Sequence, residues 1–179
     1  MVIVALALAG CSSGASTESP ATEAINVAAA PATGPTISGT GYSFAAPEGW
    51  SVPSDVSLPG MDVLAADMTD ADGFADNVNV VLSPSGIVTP DQVESLGVDE
   101  LEGGGASEVK TRDRVMVAGS ESAHLSAGFP SGGVDNPIEQ FYVSNDVQTF
   151  IVTFSFSPTV SESERDEVAE SVLASWVWA

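Results

Sequence analysis

Basic side chains are scarce in this 179-residue chain. Four residues are lysine or arginine, against 25 aspartates and glutamates, which gives a formal net charge of −21. A chain this acidic repels phosphate backbones, so we expect no binding to nucleic acid. The same charge repels anionic lipid headgroups, which argues against direct adsorption of the protein to a membrane surface.

Histidine and cysteine are scarcer still, and this limits the reactions the chain can support. His124 is the single histidine and Cys11 the single cysteine, so an internal disulfide is excluded. A serine nucleophile needs a base beside it, and a zinc site needs several histidine or cysteine ligands. We therefore predict no catalytic residue, no metal site and no cofactor. His124 is expected to be a partly buried strand residue.

Cys11 follows a short apolar run, Val2 to Ala9. The segment Leu8-Ala-Gly-Cys11 resembles the bacterial lipobox, in which a lipoprotein signal peptidase cleaves before a cysteine that carries diacylglyceryl. The run is short for a signal peptide and no basic residue precedes it, so we expect the natural start to lie before Met1. A chance cysteine in an unprocessed terminus is the alternative interpretation.

These features divide the chain into three parts. We expect residues 1–10 to be a lipoprotein signal peptide, residues 11–36 the lipidated Cys11 and a disordered tether, and residues 37–179 one globular domain. The tether is rich in serine, threonine, alanine, proline and glycine, which is typical of a flexible linker. The expected location is extracytoplasmic, with the protein anchored to the cell membrane through Cys11.

The last part of the chain gives the clearest structural pattern. Phe150, Val152, Phe154 and Phe156 fall on one face of a predicted strand from Val147 to Phe156. Ser161-Glu-Ser-Glu164 then forms a capping box, which predicts a helix from about Ser161 to Val177.

The remaining elements follow from alternation, turn residues and helix caps. The other predicted strands are Tyr42–Phe44, Met61–Met68, Val78–Leu82, Glu108–Ala118, Ser122–Phe129 and Ile138–Val143, with a helix from Pro90 to about Leu101. Short turns between successive strands indicate an antiparallel sheet. The predicted fold class is α+β, an antiparallel β-sheet flanked by helices as an α/β/α sandwich.

Three segments carry a family resemblance. They are Tyr42-Ser-Phe-Ala-Ala-Pro-Glu-Gly-Trp50, Gly73-Phe-Ala-Asp-Asn-Val-Asn-Val-Val81 and the terminal Ser175-Trp-Val-Trp178. Together they resemble the LpqN-type lipoproteins of actinobacteria, which are similar to the wider PsbP/Mog1-like fold. The resemblance covers most of residues 37–179 and implies a non-enzymatic cell-envelope protein that binds another molecule, which it does not identify. It supplies no catalytic residues.

Two other patterns suggest sites and have simpler explanations. Asp70-x-Asp72-Gly73 resembles the middle of a calcium-binding loop, but that register places Met68 and Asn79 where ligating acids are required. A solvated turn explains these acids better. The three tryptophans could form an aromatic cage for a ligand, although packing in the core is the simpler expectation.

The basic residues give the one candidate site. Lys110, Arg112 and Arg114 alternate within a predicted strand, so we expect their side chains to share one face. They either neutralise nearby carboxylates or bind an anionic group of a partner. We take them as candidate partner-binding residues.

The sequence therefore favours a lipid-anchored accessory protein of the cell envelope that binds a protein partner and has no enzymatic activity. A carrier that holds an apolar or lipidic ligand between sheet and helix is the alternative. A hydrolase is a more distant one, and would require a serine beside His124 with an acid behind it.

Overall fold

The computed structural model describes residues 24–54 and 59–179 as two β-sheets and a few helices. The strands are β1 (Ile25–Asn26), β2 (Thr36–Gly39), β3 (Tyr42–Ala45), β4 (Trp50–Ser51), β5 (Met61–Asp67), β6 (Asn77–Leu82), β7 (Ser107–Val117), β8 (Ser120–Ser131), β9 (Val134–Ser144), β10 (Thr149–Ser155) and β11 (Val177–Trp178). The helices are α1 (Pro90–Gln92), α2 (Val98–Gly103) and α3 (Glu162–Ala174). A π-helical turn, Val93–Gly97, joins α1 to α2, and we call this continuous segment the 90–103 helix.

Eight strands form the large sheet, in the order β1-β7-β8-β9-β10-β6-β5-β4, and three form a small sheet, in the order β11-β3-β2. The short β1 pairs with β7 in parallel, and the other neighbours are antiparallel. The predicted α+β class is therefore confirmed. No helix within the described ranges is long and apolar enough to span a membrane.

The two faces of the large sheet are covered unequally. Phe141 and Tyr142 are consecutive in β9, so their side chains point to opposite faces. Phe141 belongs to the main core, which α3 and the small sheet complete, and we call this side the α3 face. Tyr142 packs with Val93, Ala123 and Leu125 beneath the 90–103 helix, on what we call the 90–103 face.

Local sequence signals explain the helix starts. The Ser161 hydroxyl accepts from the Glu164 backbone N–H, and the Glu164 carboxylate accepts from the Ser161 N–H, as the predicted capping box requires. Thr89 caps the 90–103 helix in the same way, with Gln92 as its partner.

The end of the chain departs from the prediction. α3 ends at Ala174, and Val177–Trp178 pairs with β3, whereas the sequence predicted a helix to Val177. Ser175 explains the early end, because its hydroxyl accepts a hydrogen bond from the Ala45 backbone N–H at 2.8 Å and so ties the chain to β3.

The tryptophans contribute mainly to the core, and two of them are deeply buried. Trp50 and Trp176 are 5% and 3% exposed. Trp176 stacks on Tyr42 with ring centroids 4.3 Å apart. Trp178 is half-buried and its indole N–H donates to the Ala118 carbonyl at 3.3 Å. This arrangement is close packing and leaves no cage between the three indoles.

The prediction of a disordered tether over residues 11–36 is wrong for the second half of that segment. Cys11 and the residues up to 23 lie outside the described part, but Val27 and Ala32 pack against the main core. The Ala32 backbone N–H donates to the Ser171 carbonyl at 2.8 Å, and the Gly34 N–H to the Ala46 carbonyl at 2.9 Å. The described residues therefore contact the domain well before residue 37.

We predict that a chain starting at residue 36 is less stable than one starting at residue 24. It would lose the packing of Val27 and Ala32 and the Ala32–Ser171 hydrogen bond, together about 2 kcal/mol. That corresponds to a melting temperature about 5 °C lower, measurable by circular dichroism. Ile25→Ser in the longer chain is the control, since it changes an exposed side chain and should have little effect. Equal melting temperatures for the two chains would show that residues 24–35 do not stabilise the domain.

Candidate functional site

The three candidate basic residues do not share one face, which corrects the sequence prediction. Arg112 pairs with His124 and Val115 with Ser122, so Asp113 and Arg114 lie opposite a single residue of β8. This β-bulge reverses the alternation of side chains along β7. Lys110 and Arg112 consequently lie on the α3 face, and Arg114 lies on the 90–103 face.

Arg114 joins the 90–103 helix to the sheet. Its guanidinium binds Asp91 and Glu94 of the helix, with Nε–Oε1 at 2.6 Å for Glu94. It also contacts Glu121 of β8 at 3.3 Å. These carboxylates occupy its donors, so Arg114 neutralises local acids here and is not available to a ligand in this arrangement.

A buried carboxylate, Glu139, lies at the centre of the α3 face. Its side chain has no exposed surface, and its Oε2 lies 2.9 Å from the Nε2 atom of His124. Its Oε1 accepts from the Nε of Arg165 in α3 at 3.0 Å, and the Nη1 of Arg112 lies 3.8 Å from Oε2. Three β-strands and one helix therefore contribute to a single charge network.

Glu139 is ionised in this network. Burial opposes its charge, but the hydrogen bond and charge of His124, the hydrogen bond of Arg165 and the charge of Arg112 outweigh burial and lower the pKa of Glu139. The sequence did not identify this residue as functional. A usable signal was present, because Glu139 shares a strand face with Phe141 and Val143, where an apolar residue is expected.

His124 is a strand residue, as expected, and it is more deeply buried than expected, at 6% exposure. Its ring stacks on Phe141 with centroids 4.0 Å apart. Among the described residues, no serine hydroxyl hydrogen-bonds to it. Glu139 supplies an acid next to the imidazole, but no described serine lies in hydrogen-bond contact with it, as a serine hydrolase would require.

Arg112 connects the buried network to the surface. It binds Asp166 of α3 at 2.8 Å and the exposed Glu162 at 3.2 Å. Partial burial opposes the charge of Arg112, but the hydrogen bond and charge of Asp166, with the charges of Glu139 and Glu162, outweigh it and raise the pKa of Arg112.

A pocket of about 640 Å³ opens beside this network. Three of the four basic side chains of the chain line it: Lys110, Arg112 and Arg165. Lys110 is exposed, and within the described ranges no carboxylate lies within 4.0 Å of its ammonium group. Arg165 was not among the sequence candidates, because it lies in α3, far from β7 in the chain.

One group of side chains has the composition of a metal site. Ligand atoms of His124, Glu139 and Asp166 lie within 4.8 Å of one another. However, the guanidinium of Arg112 contacts both acids and supplies the positive charge that a metal ion would supply. This arrangement suits an ion-pair network better than a cation site.

The acids of the predicted turn near residue 72 cap backbone groups. Asp70 accepts from the Asp72 N–H at 3.1 Å, and Asp72 accepts from the Phe74 N–H at 3.0 Å. Asp76 accepts from the Ser157 N–H at 2.7 Å and so ties the loop to the end of β10. These contacts are those of a structured turn.

The overall architecture is similar to that of two solved structures. Cyanobacterial PsbP (CyanoP) from Synechocystis sp. PCC 6803 aligns with a TM-score of 0.50 and 20% identity, over 78% of this chain and 87% of that one. LpqN of Mycobacterium tuberculosis, described as involved in cell envelope biogenesis, aligns with a TM-score of 0.52 and 10% identity, over 77% and 83%. The predicted PsbP/LpqN-like fold is thus confirmed.

A third structure, from Bacteroides thetaiotaomicron VPI-5482, aligns with a TM-score of 0.46 and 16% identity over 77% of this chain. This chain spans 45% of the length of that protein. No protein-family model matches the sequence, and a search of curated proteins found no match. The two structures with TM-scores of 0.50 and 0.52 therefore show the fold alone.

We predict that Glu139→Gln destabilises the protein in a pH-dependent way. At pH 7 the loss should be about 3 kcal/mol, because Arg165 and Arg112 lose a buried counter-charge. Since the pKa of Glu139 is lowered in the folded state, its stabilisation is complete above about pH 4.3, the ordinary value for glutamate, and is lost as the pH falls through the folded pKa. The difference between wild type and variant in urea unfolding should therefore shrink between pH 5 and pH 2.

Glu162→Gln is the matched control for this network. Its carboxylate also contacts Arg112 but is 65% exposed, so its removal should change the free energy of unfolding by no more than about 0.5 kcal/mol. A loss for Glu139→Gln that is the same at pH 3 as at pH 7 would contradict an ionised Glu139.

Proposed function

We propose that this protein is a lipid-anchored accessory protein of the cell envelope that binds a partner protein and is not an enzyme. The lipobox-like Leu8-Ala-Gly-Cys11 supports the anchor. The PsbP/LpqN-like fold supports an accessory role, since LpqN is described as involved in cell envelope biogenesis. An anchored Cys11 would place the domain on the extracytoplasmic side of the membrane.

The observation that carries the binding role is the convergence of basic side chains on one pocket. Lys110, Arg112 and Arg165 line it, on a chain whose net charge is −21. Three acids also line the pocket: Glu108, Asp135 and Glu162. The attraction for an acidic group of a partner is therefore local to the exposed Lys110 ammonium, which no described carboxylate approaches within 4.0 Å. The carboxylate of such a group can bind the Lys110 ammonium and replace the exposed Glu162 on Arg112. Arg114 does not take part, since its donors are occupied on the other face.

The network behind the pocket prepares it for binding. Glu139 fixes the Nε of Arg165, and Asp166 fixes the Nη2 of Arg112, so both guanidinium groups are oriented before a ligand arrives. A pre-oriented group loses less conformational entropy on binding. The buried carboxylate thus supports binding without touching the ligand.

The carrier alternative has less support on the α3 face. Between the large sheet and α3, the described core is filled by aromatic side chains such as Phe154, Phe156 and Trp176, each under 4% exposed. A pocket of about 150 Å³ lies between the sheet and α3, but charged side chains such as Arg112 and Asp166 line it, which suits a lipid chain poorly.

We predict that Lys110→Gln lowers capture of the partner in the native cells and that Lys110→Arg preserves it. The reason is that the first change removes the available positive charge, whereas the second retains it. A photoreactive residue at position 158, on the edge of the pocket, would report capture by mass spectrometry. Capture by the wild type should weaken with salt. Both variants should unfold within about 0.5 kcal/mol of wild type. Unchanged capture by Lys110→Gln would contradict a binding role for the pocket.

The anchor is tested separately. We predict that Cys11→Ser moves the protein from the membrane fraction to the soluble fraction, because the serine hydroxyl cannot accept the thioether-linked lipid. Fractionation and metabolic labelling with a fatty acid would measure the change. Retention of the variant in the membrane fraction would contradict lipidation of Cys11.

A further inference from the structure

A groove of about 300 Å³ lies on the 90–103 face, on the opposite side of the large sheet from the basic pocket. Its apolar side chains come from the loop before the helix, from the helix itself and from the sheet: Ile87, Val88, Val93, Leu96, Tyr142 and Ile151. It is therefore separate from the site proposed above and depends on none of its residues.

Large apolar side chains along this groove are exposed. Ile87 is 51% exposed and Leu96 is 57% exposed, and both line it. A single exposed aliphatic side chain is ordinary, but two that flank one apolar groove are typical of an interaction surface.

The position of the helix explains why the groove is open. The 90–103 helix lies closely over β8, since a Cβ added to the buried Gly97 would lie 3.0 Å from the Cδ1 of Leu125. On the far side, Ile151 is the cross-strand neighbour of both Tyr142 and Val81, and all three are half-buried. The apolar face of the sheet thus continues beyond the edge of the helix.

One acid, Glu100, lines the groove, on a helix that carries no basic residue. The helix contains five acidic residues: Asp91, Glu94, Asp99, Glu100 and Glu102. Asp91 and Glu94 are paired with Arg114, whereas Glu100 lines the groove and forms no ion pair with any described residue. Burial, with a smaller contribution from the charge of Glu100, raises the pKa of Tyr142 to about 12.

We propose that this groove docks a basic amphipathic segment of a second protein. The apolar side chains of this segment pack on Ile87, Leu96 and Ile151, and the lysines or arginines of the segment approach Glu100. The complementarity of charge selects this occupant: a fatty acid carries a carboxylate that Glu100 repels, and a neutral lipid gains no attraction from Glu100, whereas a basic segment does. A second copy of this chain also carries a charge of −21 and four basic residues, which disfavours self-association.

The test uses the full chain and a defined peptide probe. The probe is a 14-residue helical peptide of leucine and lysine, labelled for fluorescence anisotropy. A serine and lysine peptide of the same charge measures the purely electrostatic contribution, and a leucine and glutamate peptide measures the purely apolar one. We expect the leucine and lysine peptide to bind at least tenfold more tightly than either.

The variants locate the binding. Ile87→Ser with Leu96→Ser should weaken binding of the leucine and lysine peptide at least fivefold. The matched control is Val134→Ser with Val177→Ser, which removes two equally exposed aliphatic side chains far from the groove and should leave binding unchanged. Glu100→Gln should weaken binding and reduce its dependence on salt. Melting curves confirm that each variant is folded.

Three results would overturn the proposal. The first is equal binding of the peptide by the groove variant and the control variant. The second is that the wild type binds an uncharged alkyl glycoside, that the groove variant does not, and that the three peptides bind equally well. This result would indicate a lipid occupant. The third is concentration-dependent dimerisation in sedimentation that the groove variant abolishes, which would indicate a second copy.

Discussion

The ionised carboxylate of Glu139 is the constraint on which the centre of this fold depends. A buried charge without partners costs several kcal/mol, so the structure is stable only if the partners are in place. They come from β7, β8 and α3, in the form of Arg112, His124 and Arg165. Apolar packing alone tolerates small shifts between a helix and a sheet. A carboxylate with fixed donors does not, so this network sets where α3 lies along the sheet.

The β-bulge in β7 separates two functions that the linear sequence places side by side. It turns Arg112 toward α3 and Arg114 toward the 90–103 helix. Arg112 thereby lines the basic pocket, while Arg114 binds the 90–103 helix, which forms one side of the groove on the opposite face. The two proposed binding surfaces lie on opposite faces of one sheet, so one domain can hold two partners without steric conflict between them.

The sequence predicted the elements that have strong periodicity or caps. The alternation of Phe150, Val152 and Phe154 identified β10, and the capping box at Ser161 identified the start of α3. Two-residue strands such as β4 and β11 have no periodicity to detect, since tertiary contacts such as the hydrogen bond between Ser175 and Ala45 create them.

The site was less predictable than the fold, for a physical reason. The face on which a strand residue lies can be predicted from alternation only if the strand has no bulge. The bulge at Asp113 and Arg114 adds one residue to β7, so Arg114 lies on the face opposite to the predicted one. Arg165 and Glu139 are 26 positions apart, and only the docking of α3 brings them together. The candidate pair Lys110 and Arg112 came from local alternation, which is why that part of the prediction agrees with the geometry of the pocket.

The parallel pairing of β1 with β7 sets how far the basic pocket can lie from Cys11. Ile25 lies beside Val115 and Asn26 beside Met116, so Ile25 is the residue of β1 that lies nearer the end of β7 carrying Lys110 and Arg112. Between Cys11 and Ile25 the backbone spans at most about 50 Å, even if fully extended. A lipid on Cys11 would therefore hold Ile25 within about 50 Å of the bilayer, and the basic pocket, whose Lys110 precedes Val115 by five residues of β7, within about 70 Å.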